Sequence, residues 1–242
     1  MFTPSLDDFQ RLATSGNIVP VYREHLADME TPVSAVSRFA DDEHVFLFES
    51  VEGGERWGRY SFIGVHPRAI FSVEDGVARV HDPATGTTED IPGDGCPFER
   101  LRTLLQAQCP VQVPGLPRFF AGVVGMVGYE SVNEFEDLPP PKTAPGTTAA
   151  FMQVEEMIIF DNVRHTAKVV ACARPEEFAS AEAAYSAACR RIEMIEARLK
   201  EARPEPAPPG ATAGCEVTMT SNMEREAYCD GVRRAKTYIT DG

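Results

Sequence analysis

Glu49 and Ser50 end the apolar run His44-Val45-Phe46-Leu47-Phe48, and across a Gly-rich loop Arg59, Tyr60 and Ser61 open a second short run through Phe62-Ile63-Gly64. A carboxylate, a guanidinium, a phenol and two hydroxyls have the chemistry of recognition: an acid balances a cation, a guanidinium takes a carboxylate, and a hydroxyl donates or accepts. Taken alone, they read more readily as polar strand ends that meet solvent than as a site. The two runs predict a buried β-hairpin with its polar groups at one rim. Trp57, the single tryptophan, sits in the loop between them, either over the rim or packed on the hairpin.

Other residues capable of chemistry form no constellation. The six cysteines, Cys96, Cys109, Cys172, Cys189, Cys215 and Cys229, contain no C-x-x-C pair and no nearby His at ligand spacing, so free thiols are expected rather than a zinc or redox motif. The five histidines are scattered and read as structural. Gly122, Gly125 and Gly128 give a G-x-x-G-x-x-G spacing, but neither the G-x-G-x-x-G order nor a Lys-Ser/Thr end follows, so a phosphate loop is excluded. Three-residue spacing cannot keep the glycines on one face of a strand. It predicts bulges or the close approach of another backbone.

Composition sets the class. The chain has 242 residues, 43% of them hydrophobic, and a formal net charge of -14. Its length suits one large domain or two small ones with a proper core. The acidity would repel phosphate backbones, so nucleic acid is not an expected partner. No run reaches the roughly 18 apolar residues of a membrane span, and the first residues lack the order of a signal peptide, so a cytoplasmic protein is expected.

The elements that must position the rim residues follow from periodicity and caps. Ser5-Leu6-Asp7-Asp8 predicts a helix from Ser5 to Thr14, and Ile18 to Tyr22 a strand that Pro20 demotes to an edge or entry segment. Thr31-Pro32 opens a second helix with Val33, Val36 and Phe39 on its face. Short β runs follow over residues 44–50, 59–64, 68–73 and 77–81, the last two joined at Glu74-Asp75-Gly76, a hairpin signal. Pro97 to Gln108 reads as helix. Phe151 to Phe160 and Thr166 to Ala173 read as two strands around Asp161-Asn162, and Pro175 to Ala202 as a long helix striped by Phe178, Tyr185, Ile192, Ile195 and Leu199. Residues 203–214, Pro-rich, read as a linker and the one clear domain boundary; Cys215 to Met219 then reads as a strand. Ser221-Asn222-Met223-Glu224 is a capping-box pattern for a last helix with Tyr228, Val232, Ala235 and Ile239. Hairpins with helices interspersed, without regular strand-helix alternation, predict an α+β fold on antiparallel sheet.

The strand ending Phe48-Glu49-Ser50, the Gly58-Arg59-Tyr60-Ser61 segment and the stretch from Phe119 through Gly122 and Gly128-Tyr129 to Phe135-Glu136-Asp137-Leu138-Pro139 together resemble the amino-terminal half of anthranilate synthase component I. Two positions depart from the family: Phe48 stands where Leu is usual, and Ala121 where the first of two paired glycines is usual. The resemblance implies that residues 1–202 are a regulatory domain, residues 203–214 a linker, and residues 215–242 the truncated start of a chorismate-binding catalytic domain. It implies a site for L-tryptophan as feedback inhibitor at Phe48, Glu49, Ser50, Arg59, Tyr60 and Ser61, with Glu49 against the ammonium and Arg59 against the carboxylate. The parent enzyme would make anthranilate and pyruvate from chorismate, using ammonia from a glutamine amidotransferase subunit. Its catalytic acids and its Mg²⁺ ligands would lie in an absent carboxyl-terminal half. No catalytic or metal-binding residue is therefore expected in this chain, and tryptophan binding by it alone is expected to be weak or nil. Two rivals stand: a fragment of the related aminodeoxychorismate synthase component I, and a free-standing amino-acid-binding regulatory module.

Overall fold

Caps set the first helices of the computed structural model, which describes residues 1–49, 58–92, 96–138, 146–202 and 219–242. Ser5 Oγ accepts from the Asp8 N–H and starts α1 (Leu6–Leu12), which buries Phe9. Thr31 and Ser34 form a reciprocal capping box at α2 (Pro32–Val36), which continues as a 3-10 turn over Ser37–Phe39. Pro32 and Ala35 face inward, so Val33, expected on the buried face, is turned out and is 58% exposed.

Two five-stranded antiparallel sheets carry the fold. The first comprises β1 (Val19–Leu26), β2 (Phe46–Phe48), β3 (Tyr60–Val65), β9 (Glu156–Asp161) and β10 (Thr166–Ala173), in the order β1-β10-β9-β3-β2. The second comprises β4 (Ala69–Glu74), β5 (Val77–Asp82), β6 (Thr87–Asp90), β7 (Gly122–Val127) and β8 (Thr147–Val154), in the order β6-β5-β4-β8-β7. The mixture of helices and antiparallel sheet is the α+β class. Pro20 lies, as its missing N–H requires, on an edge strand. Asp75 and Gly76 both take positive φ, 50° and 78°, and make the tight β4–β5 turn.

The apolar run over residues 151–160 is divided rather than continuous. It breaks at Glu155, which is buried against Arg174 with 2.6 Å between the Arg174 Nη2 and Glu155 Oε1 atoms, and its two parts belong to different sheets. A buried charge needs its partner, and the chain bends there to supply one. β6 was not foreseen, because its four residues are all exposed and carry no apolar alternation.

Strand alternation separates two cores. On one face of the first sheet, Ile63, Val65, Ile158, Phe160 and Val169 pack with Phe9, Phe39 and the helix α4 (Ala181–Leu199) through Ala184, Ala188, Ile192 and Ile195. On the other face Phe46, Met157, Ile159 and Val170 meet Leu116, Phe120, Val124 and Val154. β9 is therefore buried on both faces along its whole length. A third, small core sets Leu101 of α3 (Pro97–Gln106) against Phe71, Val73 and Ala78.

α4 begins at Ala181, capped by Ser180, and not at Pro175, which starts a separate 3-10 turn over Pro175–Glu177. Phe178 falls outside the helix and is 37% exposed. The chain divides into two units, Met1–Pro204 and Glu205–Gly242. The whole of the expected linker and all but Met219 of the expected strand at 215–219 lie outside the described residues. In the second unit α5 (Arg225–Asp241) begins after Glu224, whose side chain makes no capping bond, and Ser221 Oγ accepts from the Met223 N–H in a local turn instead of capping a helix. Cys96, Cys109, Cys172, Cys189 and Cys229 are free thiols.

Between β3 and β4 the chain crosses from one sheet to the other through His66, at φ 46°. Its Nδ1 lies 2.8 Å from Glu156 Oε2, and its Nε2 3.8 Å from Asp42 Oδ2. The bond to Glu156, aided by the charges of Glu156 and Asp42, outweighs burial and holds the imidazole pKa above its ordinary value. A raised folded value gives stability that is fully present below the unfolded pKa of about 6.5 and is lost as pH rises through the folded value. Urea midpoints are expected to fall from pH 6 to pH 8 more steeply in the parent than in His66→Gln; equal slopes would contradict this.

Candidate functional site

β2 and β3 pair in antiparallel register, Phe46 opposite Gly64 and Phe48 opposite Phe62. Gly64 is required there: a Cβ on it would fall 2.0 Å from the Phe46 ring. The Phe46 and Phe48 rings lie 4.9 Å apart, and Phe62 meets Phe119 edge-on at 5.3 Å. This aromatic ladder faces the second sheet across an open slot of about 680 Å³. Leu47, Phe48, Glu49, Tyr60 and Phe62 line it from the first sheet, and Val123, Val124, Gly125 and Phe151 from the second, with Phe119 beside them.

Close backbone approach shapes the far wall. A Cβ on Gly125 would sit 1.9 Å from the Ala150 carbonyl oxygen and 2.6 Å from the Phe151 Cα, so β7 can lie against β8 there only as glycine. The glycine spacing pointed to such an approach. Gly122, at φ 150°, uses the same freedom to enter the strand.

The six residues expected to form the site part company. Phe48, Glu49 and Tyr60 line the slot. Ser61 is on the opposite face of β3, as strand alternation demands, is fully buried, and accepts a hydrogen bond from Asn162 Nδ2 at 3.1 Å. Arg59 donates to Asp161, with Nη2 2.8 Å from Oδ2 and Nε 3.2 Å from Oδ1, and its guanidinium lies 4.9 Å from the Tyr60 ring centroid. Ser50 and Trp57 lie outside the described residues.

Asp161 is 3% exposed. Burial would raise its carboxyl pKa, but the bonds from Arg59 and from the Arg164 and Val163 N–H groups outweigh that and hold it below its ordinary value. Asn162 completes a clamp on the start of β3: its N–H donates to the Arg59 carbonyl at 2.8 Å and its Nδ2 to the Gly58 carbonyl at 3.0 Å. The turn after β9 thus holds Arg59, and Arg59 in turn backs the Tyr60 ring that faces the slot.

Phe62, Phe119, Val123, Val124 and Phe151 were missed as site residues. Period-two alternation from Tyr60 points to Phe62, not to Ser61, so that one was legible. The others reach the slot only through the meeting of two sheets. Chemically the slot is an apolar, aromatic-walled cleft whose one charged lining residue among those described is Glu49.

Comparison with known proteins places the chain in a family. The chorismate binding enzyme family matches over residues 43–242. Anthranilate synthase component 1 of Synechocystis is 36% identical over 257 residues, covering 100% of this chain and 49% of its own, and that of Acetivibrio thermocellus is 33% identical over 248 residues with the same coverages. A crystal structure of anthranilate synthase component I from Streptococcus pneumoniae aligns with a TM-score of 0.43 at 23% identity, covering 76% of this chain and 37% of that one. The chain spans about half the length of the curated relatives it matches. On the breadth of the family match and on relatives above 30% identity along its whole length, the chain belongs to the chorismate binding enzyme family.

Proposed function

We propose that this chain is the amino-terminal part of an anthranilate synthase component I and carries part of its L-tryptophan feedback site. The whole enzyme would convert chorismate and glutamine-derived ammonia to anthranilate and pyruvate in tryptophan biosynthesis, with a glutamine amidotransferase subunit as partner, in the cytoplasm. The observation that carries the reading is the alignment of proteins of that name along the entire chain, at 33% and 36% identity. The slot supports it physically. Its aromatic walls suit an indole and Glu49 suits an ammonium, the two parts of tryptophan that need burial and charge balance. Tryptophan held there would bias the whole enzyme toward a less active state, a coupling between distinct sites. The relatives' names favour anthranilate over aminodeoxychorismate as the product.

The chain alone is proposed to be inactive. Among the described residues no group of three or more His, Cys, Asp or Glu side chains is placed to hold a metal ion. The ligands for Mg²⁺ in the parent enzyme are proposed to lie outside this chain. No helix of the described residues is long and apolar enough to cross a membrane. Incubated with chorismate, ammonium and Mg²⁺, the 242-residue chain is expected to release no fluorescent anthranilate; Mg²⁺-dependent anthranilate formation would overturn the reading.

A further inference from the structure

We infer that the pocket between α3 and the second sheet is a second ligand site, and that it takes a small carboxylate with an apolar body. Its volume of about 280 Å³ lies at the lower end of the range for ligand pockets, so the fitting molecule is small. Phe71 of β4 and Val80 of β5 form one side, and Leu101, Leu104 and Leu105 of α3 the other. Asn17 ties down the end of that helix: its Nδ2 donates to the Ala107 carbonyl at 2.8 Å, and its Oδ1 accepts from the Cys109 N–H at 2.7 Å. The helix that covers the pocket is therefore held in place by bonds from outside it.

The charged residues of the described lining are Arg68 and Arg174, with the amides of Gln108 and Gln153 also in the wall. Their partner carboxylates, Glu177 and Glu155, lie outside that lining, so the charge turned to the cavity is positive. Arg68 can serve a ligand at little cost, because it and Glu177 are both exposed and a released Glu177 is solvated by water. Arg174 need not leave its partner: Nε and Nη2 lie 2.8 and 2.6 Å from Glu155 Oε1, and Nη1 stands outside the pair. A guanidinium meets a carboxylate with two parallel donors, and the leucine and phenylalanine walls take the body it is attached to. Val123 and Phe151 line both this pocket and the slot, yet the charged residue of the slot's described lining is Glu49, so the neighbouring cavities select opposite charges.

Three ligands of one shape and different charge test this without risk to folding. Benzoate, benzamide and benzylamine are titrated at neutral pH, up to tens of millimolar, into the 242-residue chain and followed by its methyl and aromatic resonances. Benzoate is expected to move the methyl groups of Val80, Leu101, Leu104 and Leu105 and to bind at least tenfold more tightly than benzamide, with benzylamine weaker still. Arg68→Gln, at an exposed position, should melt with the parent and weaken benzoate about fivefold, while Arg68→Lys keeps most of the affinity. Benzamide or benzylamine binding as tightly as benzoate would overturn the inference. So would benzoate shifts centred on Phe48 and Phe62 of the slot, an unchanged benzoate affinity in Arg68→Gln, or no binding of benzoate. The ranking of the three ligands on the parent chain decides the matter even if a variant fails to fold, and none of these outcomes bears on whether tryptophan occupies the slot.

Discussion

Gly125→Val is expected to destabilise the first unit by about 3 kcal/mol, or roughly 10 °C in Tm for a domain of this size. The physical reason is a hard limit. Any side chain at this position begins with a Cβ only 1.9 Å from the Ala150 carbonyl oxygen, and the Phe151 Cα is 2.6 Å away, so the obstacle is backbone and cannot swing aside. β7 must then leave β8 locally, breaking ladder bonds and moving Val123, Val124 and Phe151, which form the far wall of the slot. Loss of stability and loss of ligand binding are therefore expected together. Gly76→Ala, by contrast, meets nothing within 4 Å and should cost only the strain of its positive φ. Thermal unfolding of both variants checks this, and a Gly125→Val protein that melts with the parent would contradict it.

Glu196→Ala is expected to cost about 2 kcal/mol. Glu196 lies on α4 with its side chain 9% exposed, and its carboxylate joins the helix to β1 through Arg23 Nη1 at 2.6 Å and His25 Nε2 at 2.7 Å. Without it Arg23 keeps Glu193 at 3.6 Å, a partner that is itself 56% exposed, and the face of the Phe2 ring. Removing one member of a buried pair leaves the other charge poorly compensated, and the cost is set below the 3–5 kcal/mol of a fully buried pair because Arg23 remains 23% exposed. Replacing Arg23 by Met in a Glu196→Leu background should recover part of the loss, since no stranded charge then remains. Urea unfolding of the two single variants and the double variant measures the coupling. Simple additivity would contradict the account.

What the sequence revealed here was mostly local chemistry. Ser5, Thr31 and the Asp75-Gly76 pair act through atoms within three residues, and all three appear where their side chains or φ values require. Pro20 announced an edge strand because its missing donor is a property of one residue. The errors came where tertiary context decides. The apolar run over 151–160 could not show that it would be shared between two sheets, because its first half is mostly half-buried, its second half is buried throughout, and neither alternates visibly. Glu196 drew no reading from the sequence, because its partners lie more than 170 residues away.

The candidate site shows the same division. Phe48, Glu49 and Tyr60 were legible because the hairpin that brings them together is built from neighbouring strands. Ser61 was assigned through the resemblance of the Gly58-Arg59-Tyr60-Ser61 segment, whereas the two-residue period of the strand turns it to the other face. Arg59 looked free to take an anion because its partner Asp161 follows 102 residues later. Val123 and Phe151 belong to the other sheet and Phe119 to the segment leading into it, and only the crossovers at His66 and Glu155 set them opposite β2 and β3.

The most direct test of the account is a shift map of the 242-residue chain titrated with L-tryptophan. The predicted result is weak binding, well above the submicromolar range, with the resonances of Phe48, Glu49, Tyr60 and Phe62 moving together while Ser61 and its buried face stay in place. Submicromolar binding, or a map centred away from the slot, would contradict the proposal that this chain takes tryptophan between the two sheets.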